Sequence, residues 1–144
     1  MTNTATQRIL LAEDDDAMRV YLERALVNAG YKVDSVDRGT AAVPLLVESD
    51  YDLLLSDIVM PEMDGQELCR RVRKISGVPI LIITGDLGGH NDADTQRHLG
   101  ANGYLTMPFD LEDFAAQVKN LLTNWRESQS RPQSLGDEAE SISS

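Results

Sequence analysis

The sequence predicts an α/β fold: a doubly wound parallel sheet of five strands with helices on both faces. Two patterns and the length predict it. Short β-rich runs alternate five times with segments of helical period, the order that builds a parallel sheet from strand-helix units. The run Leu53, Leu54, Leu55 is apolar at every position, as a strand covered on both faces must be. At 144 residues the chain has room for one domain with a substantial core, whereas two would be cramped.

Each element follows from its own pattern. Arg8 to Ala12 reads as the first strand, and Met18, Tyr21, Leu22, Ala25, Leu26 and Ala29 recur at spacings of three and four before Gly30 stops the helix. Asp16 is the expected cap of that helix. Tyr31 to Val36 is the second strand and Thr40 to Glu48 the second helix, where Pro44 costs little only within the first turn. Asp52 to Ser56 is the third strand, and Gln66 to Ile75 a helix with Leu68, Val72 and Ile75 inward. Val78 to Ile83 is the fourth strand, followed by a weakly apolar helical segment, His90 to Leu99. Gly103 to Thr106 is a short fifth strand. The last helix is capped by Asp110 and carries Leu111, Phe114, Ala115, Val118, Leu121, Leu122 and Trp125 on one stripe. The domain therefore spans residues 7 to 126. Residues 127 to 144, rich in Ser and acids with Leu135 and Ile142 as the large apolar residues, cannot bury enough surface to offset ordering and are expected to form a disordered tail.

Charge and composition narrow the partners. Thirteen Lys and Arg against twenty-four Asp and Glu give a net charge of −11, which repels polyphosphates and anionic lipid, so neither nucleic acid nor a membrane is an expected partner. No window approaches the ~20 apolar residues of a membrane helix. The apolar run Ile9 to Ala12 is followed at once by four acids, unlike a secretion signal, and the single cysteine, Cys69, cannot form an internal disulfide. A reduced, cytoplasmic setting is expected.

In a doubly wound sheet ligands bind beyond the carboxyl ends of the strands. There the first strand is followed by Glu13, Asp14, Asp15 and Asp16, the third ends at Asp57, the fourth at Thr84, and the fifth at Thr106, Met107 and Pro108. Carboxylates converging on one crevice repel one another unless a cation sits among them, and Mg²⁺ takes oxygen ligands of this kind.

The runs Arg8-Ile-Leu-Leu-Ala-Glu-Asp-Asp, Leu55-Ser-Asp-Ile-Val-Met-Pro-Glu-Met-Asp-Gly, Thr84, and Gly103-Tyr-Leu-Thr-Met-Pro-Phe resemble, in order and spacing, the receiver domain of bacterial two-component response regulators. The first half is similar to the single-domain receivers of the CpdR type. The resemblance implies a (βα)5, flavodoxin-like sheet of strand order 2-1-3-4-5. It makes Asp57 the phosphoacceptor, with Glu13, Asp14, Asp57 and the main-chain carbonyl of Val59 around Mg²⁺. It gives Thr84 a hydrogen bond to the phosphoryl group, and makes Tyr104 the rotamer switch that relays occupancy to the face of the fourth helix, fifth strand and fifth helix. The implied donor is a histidine kinase or phosphotransfer protein, the output is protein binding, and the protein is not a turnover enzyme.

One position departs from the family. Met107 stands where receivers carry lysine, and of the three lysines Lys32 and Lys74 fall at the opposite end of the sheet while Lys119 lies within the last helix. Two other functions compete with a phosphorylation-controlled module. One is a degenerate receiver that binds its partner regardless of phosphate. The other is a small phosphatase of the haloacid dehalogenase type, using Asp14 and Asp16 as an Asp-x-Asp pair, although Met18 stands where that motif expects Thr or Val.

Overall fold

The computed structural model describes residues 6–58, 63, 65–84 and 101–130. Five strands, β1 (Arg8–Ala12), β2 (Lys32–Val36), β3 (Leu53–Asp57), β4 (Ile80–Thr84) and β5 (Gly103–Thr106), form one sheet in the order β2-β1-β3-β4-β5. Every neighbouring pair is parallel, with Ile9 opposite Leu53, Asp57 opposite Ile83 and Thr84 opposite Thr106. Four helices are described: α1 (Asp16–Asn28), α2 (Gly39–Glu48), α3 (Gly65–Arg73) and α4 (Leu111–Ser130). The predicted helix His90 to Leu99 lies outside the described residues. None of the described helices is long and apolar enough to cross a membrane.

Strand alternation divides the core into two layers. Leu10, Ala12, Leu54, Ile80, Ile82 and Tyr104 pack with Ala42 and Leu46 of α2 and Leu68, Cys69 and Val72 of α3. Ile9, Leu11, Leu53, Leu55, Leu81, Ile83 and Leu105 pack with Leu22 and Leu26 of α1 and Phe114, Val118 and Leu122 of α4. Leu53, Leu54 and Leu55 are fully buried, so the continuous apolar run does mark a strand covered on both faces.

Local chemistry sets the helix ends. At the end of α1 the Tyr31 N–H donates to Leu26 and the Gly30 N–H to Val27, with Gly30 at φ 102°, a left-handed closing turn that disfavours side chains. The cap of α1 is Asp15, whose Oδ2 accepts from Met18 N at 2.8 Å; the expected Asp16 is instead the first helical residue. Both acids are one residue apart in an acidic run, so only backbone geometry distinguishes them. Pro44 falls in the second turn of α2, beyond the first-turn position where it is cheap, and α2 gives up a main-chain hydrogen bond there. Asp110 caps α4, accepting from Asp113 N at 2.8 Å. Ile75 is 46% exposed past the end of α3 rather than inward. Helix α4 runs to Ser130, past the domain boundary expected at 126, because propagating a helix costs little until a breaker, and the next proline is Pro132. Residues 131–144 of the expected tail lie outside the described residues.

Candidate functional site

The parallel sheet aligns all its carboxyl ends on one rim, and the acids that follow β1 and end β3 meet there. Strands β1 and β3 are neighbours with Ala12 opposite Ser56, which brings the residues just beyond them side by side. One carboxylate oxygen from each of Glu13, Asp14 and Asp57 lies within 4.8 Å of the others. Asp14 is exposed, Asp57 half-buried, and Glu13 only 2% exposed.

Glu13 is held from several sides. Its N–H donates to Val36 O of β2 at 3.0 Å, and its Oε2 accepts from Asp15 N at 3.1 Å. Its other oxygen, Oε1, is buried and has no hydrogen-bond partner among the described residues. Burial, with the neighbouring charges of Asp57 and Asp14 and the hydrogen bond to Asp57 adding to it, pushes the Glu13 carboxyl up to about 8 despite the donation from Asp15 N. A buried, incompletely bonded carboxylate beside two others is unfavourable unless protonated or matched by a cation. These oxygens suit a hard divalent ion such as Mg²⁺.

The remaining expected residues sort by sheet face. Thr84 ends β4 fully buried, and in register terms it shares a face with Ile82, which pairs with Tyr104. Tyr104 is itself buried in the layer of α2 and α3. Met107 follows β5, donates its N–H to Thr84 O at 2.7 Å, and precedes Pro108 through a cis peptide bond. Its side chain packs on the opposite layer and lines a shallow apolar groove of about 390 Å³ with Met18, Tyr21, Pro108 and Phe109. Val59 lies outside the described residues. Asp16 does not join the acid cluster: its carboxylate is 87% exposed and paired with Arg19, which leaves the Asp14 and Asp16 arrangement of a dehalogenase-type phosphatase without a shared pocket.

Sequence reasoning missed Arg19. Its Nη1 donates to the main-chain carbonyl of Glu13 at 2.9 Å, and its side chain is 20% exposed. One turn into a helix after an acidic run, it looks like any helix-surface arginine. It also missed Gly39, where an added Cβ would meet the Met63 carbonyl oxygen at 3.0 Å, so α2 approaches the segment after β3 more closely than a larger residue allows.

A parallel sheet of order 2-1-3-4-5 with a carboxylate cluster at its carboxyl rim is the arrangement of a signalling receiver, and a family model described as the response regulator receiver domain matches residues 9–119. The chain belongs to the response regulator receiver family. It is 44% identical over 119 residues to the response regulator receiver protein CpdR of Brucella abortus, an alignment covering 81% of this chain and 97% of that protein. It is 35% identical to the transcriptional regulatory protein CusR of Escherichia coli over 80% of this chain, but spans 51% of that protein's length. Among solved structures it resembles a putative response regulator from Chloroflexus aurantiacus, at 32% identity and a TM-score of 0.73, covering 83% of this chain and 99% of that one. The chemotaxis response regulator CheY4 of Vibrio cholerae superposes with a TM-score of 0.74 at 26% identity, covering 81% and 99%.

Proposed function

We propose that the protein is a cytoplasmic receiver that accepts a phosphoryl group on Asp57 from a histidine kinase or phosphotransfer protein and thereby changes its hold on another protein. The observation that carries this is the convergence of Glu13, Asp14 and Asp57 at one rim, with a buried Glu13 oxygen left unbonded among the described residues. Glu13, Asp14, Asp57 and the main-chain carbonyl of Val59 would hold Mg²⁺, which when bound neutralises charge on the transferred phosphoryl group. An Asp57 carboxylate oxygen attacks phosphorus in line: the new O–P bond forms as the P–N bond to the donor's imidazole breaks, and the ring nitrogen keeps the electron pair. The Thr84 hydroxyl donates to a phosphoryl oxygen, and its shared face with Tyr104 offers a route from occupancy to packing in the layer of α2 and α3. The output surface is the face of the predicted fourth helix, β5 and α4. Turnover of an external substrate is not part of this function.

Met107 favours a second possibility, a receiver that binds its partner without regard to phosphate. It can neither pair with phosphate nor donate a side-chain hydrogen bond, and it packs into an apolar groove. Loss of one charge-assisted hydrogen bond, roughly 1.5–3 kcal/mol, weakens the phosphorylated, switched state by about one to two powers of ten. Mass spectrometry after incubation with candidate phosphodonors and Mg²⁺ separates the two. An acid-stable, base-labile adduct on Asp57, absent from Asp57→Asn, is expected. In parallel, Met107→Lys is expected to strengthen the response to a phosphoryl mimic by about tenfold or more. No adduct with any donor leaves the phosphate-independent module, and equal responses of the two forms remove Met107 from the switch.

A further inference from the structure

The acids at the rim repel one another, and a cation outside the cluster contacts the turn that carries two of them. Arg19 sits in the second turn of α1 and reaches back over the β1–α1 turn. Its Nη1 donates to the Glu13 carbonyl at 2.9 Å while Nη2 pairs with the exposed Asp16 carboxylate. With the Glu13 N–H bonded to Val36 O and the Glu13 Oε2 accepting from Asp15 N, both main-chain groups of Glu13 and one side-chain oxygen are fixed. The Glu13 carbonyl shares its peptide plane with the nitrogen of Asp14, so fixing that carbonyl also fixes the direction from which Asp14 leaves the turn. The same guanidinium keeps Asp16 turned outward, where its carboxylate stays out of the pocket.

We propose that Arg19 is a positioning residue for the cation pocket: by bridging the Glu13 carbonyl and Asp16 it holds Glu13 and Asp14 in their converging arrangement and so raises the affinity for a divalent cation. The proposal rests on the pocket being a Mg²⁺ site. Charge alone predicts the opposite sign, because a guanidinium near a dication repels it and its removal should tighten binding. Positioning predicts weaker binding, since partners that orient metal ligands typically contribute 10- to 100-fold in affinity. A lysine keeps the charge but lacks the planar fork that spans two acceptors, so it restores only part of the effect.

The test is calorimetric titration of Mg²⁺ into the full chain, with wild type, Arg19→Ala, Arg19→Lys and Asp16→Ala compared, and thermal melts in chelator run alongside. Arg19→Ala is expected to weaken binding about tenfold, and Arg19→Lys and Asp16→Ala to fall between it and wild type, because in Asp16→Ala the carbonyl contact survives but the bridge loses its second anchor. Equal or tighter binding by Arg19→Ala overturns the proposal, as does a lowered melting temperature in chelator with affinity unchanged. Should Arg19→Ala fail to fold, an unchanged affinity in Arg19→Lys overturns it equally. If wild type itself binds no Mg²⁺, the pocket is not a cation site and the proposal falls with it, a result distinct from wild type binding and the variants matching it.

Discussion

The two ends of the sheet treat charge in opposite ways. At the amino end, Arg8 donates to Asp34 at 3.1 Å and stacks 4.6 Å over the Tyr51 ring, and Tyr51 Oη donates to Asp34 at 2.7 Å. Asp52 accepts from Arg8 N at 2.8 Å, while Arg73 and Ile80 N both donate to Asn102 Oδ1, at 2.7 and 2.8 Å. Acids there have donors, and the strands are tied together by them. At the carboxyl end Glu13, Asp14 and Asp57 face one another and a buried oxygen of Glu13 is left unbonded among the described residues. The amino-end acids are matched by donors within the fold, whereas Glu13, Asp14 and Asp57 gather like charges at one rim, a grouping that marks a candidate site.

Supplying and withdrawing a divalent cation is the strongest way to test the contrast. If the carboxyl rim is a cation site, Mg²⁺ at about a hundred times its Kd stabilises the fold by about 2.7 kcal/mol, or roughly 10 °C in melting temperature, relative to protein in chelator. Differential scanning fluorimetry reads this directly, and no shift at any Mg²⁺ concentration places both rims in the same class.

The second effect is smaller and depends on pH. Without metal, the Glu13 carboxyl titrates at about 8 in the fold against about 4.5 in the unfolded chain. A raised folded value means that the folded protein holds the proton more tightly, so this contribution to stability is full below about 4.5 and lost as pH rises through about 8. Asp57→Asn removes a neighbouring charge, and is expected to stabilise the metal-free protein at pH 8 by about 1–2 kcal/mol and to flatten that decline. Urea unfolding in chelator across this range checks it; destabilisation by Asp57→Asn at pH 8 would contradict mutual repulsion at this rim.

The smallest effect belongs to the amino end and has the reverse sign. The hydrogen bond from Tyr51, assisted by Arg8 against the cost of burial, holds Asp34 below the usual carboxylate range. A lowered folded value gives stability that is present above the unfolded pKa near 3.8 and is lost as pH falls through the folded one. Tyr51→Phe is expected to cost only about 0.5–1 kcal/mol at pH 7, because Asp34 is half exposed and screened, and less in acid as Asp34 takes up its proton. Urea midpoints at pH 7 and pH 3 measure the difference.

Much of the fold was legible because burial on both faces leaves an unmistakable trace. Leu53 to Leu55 and the apolar runs of β1 and β4 could not be surface segments, and Phe114, Val118 and Leu122 mark one buried stripe. The acids of the rim were legible from position: Glu13 and Asp14 follow the first apolar run and Asp57 ends the third strand, at the carboxyl ends where a doubly wound sheet has its crevice. What escaped depends on pairings that no local pattern records. Arg8, Asp34 and Tyr51 meet only through the pairing of β1 with both β2 and β3, so a strand-by-strand view sees three ordinary surface residues. Arg19 contributes through a carbonyl, and every residue has one. Where α2 starts, and so where Pro44 falls in it, also escaped, because the helix begins at Gly39 with no capping side-chain hydrogen bond to announce it.

Alternation along β4 and β5 has one further consequence. Thr84 and Tyr104 point to one side of the sheet and Met107 to the other, so the hydroxyl and the thioether belong to separate compartments at the same rim. If chemistry takes place at this rim, each compartment can respond to it separately. An engineer can restore a basic residue at position 107 without repacking the compartment of Tyr104, or retune that aromatic while leaving the groove beside Met18 intact.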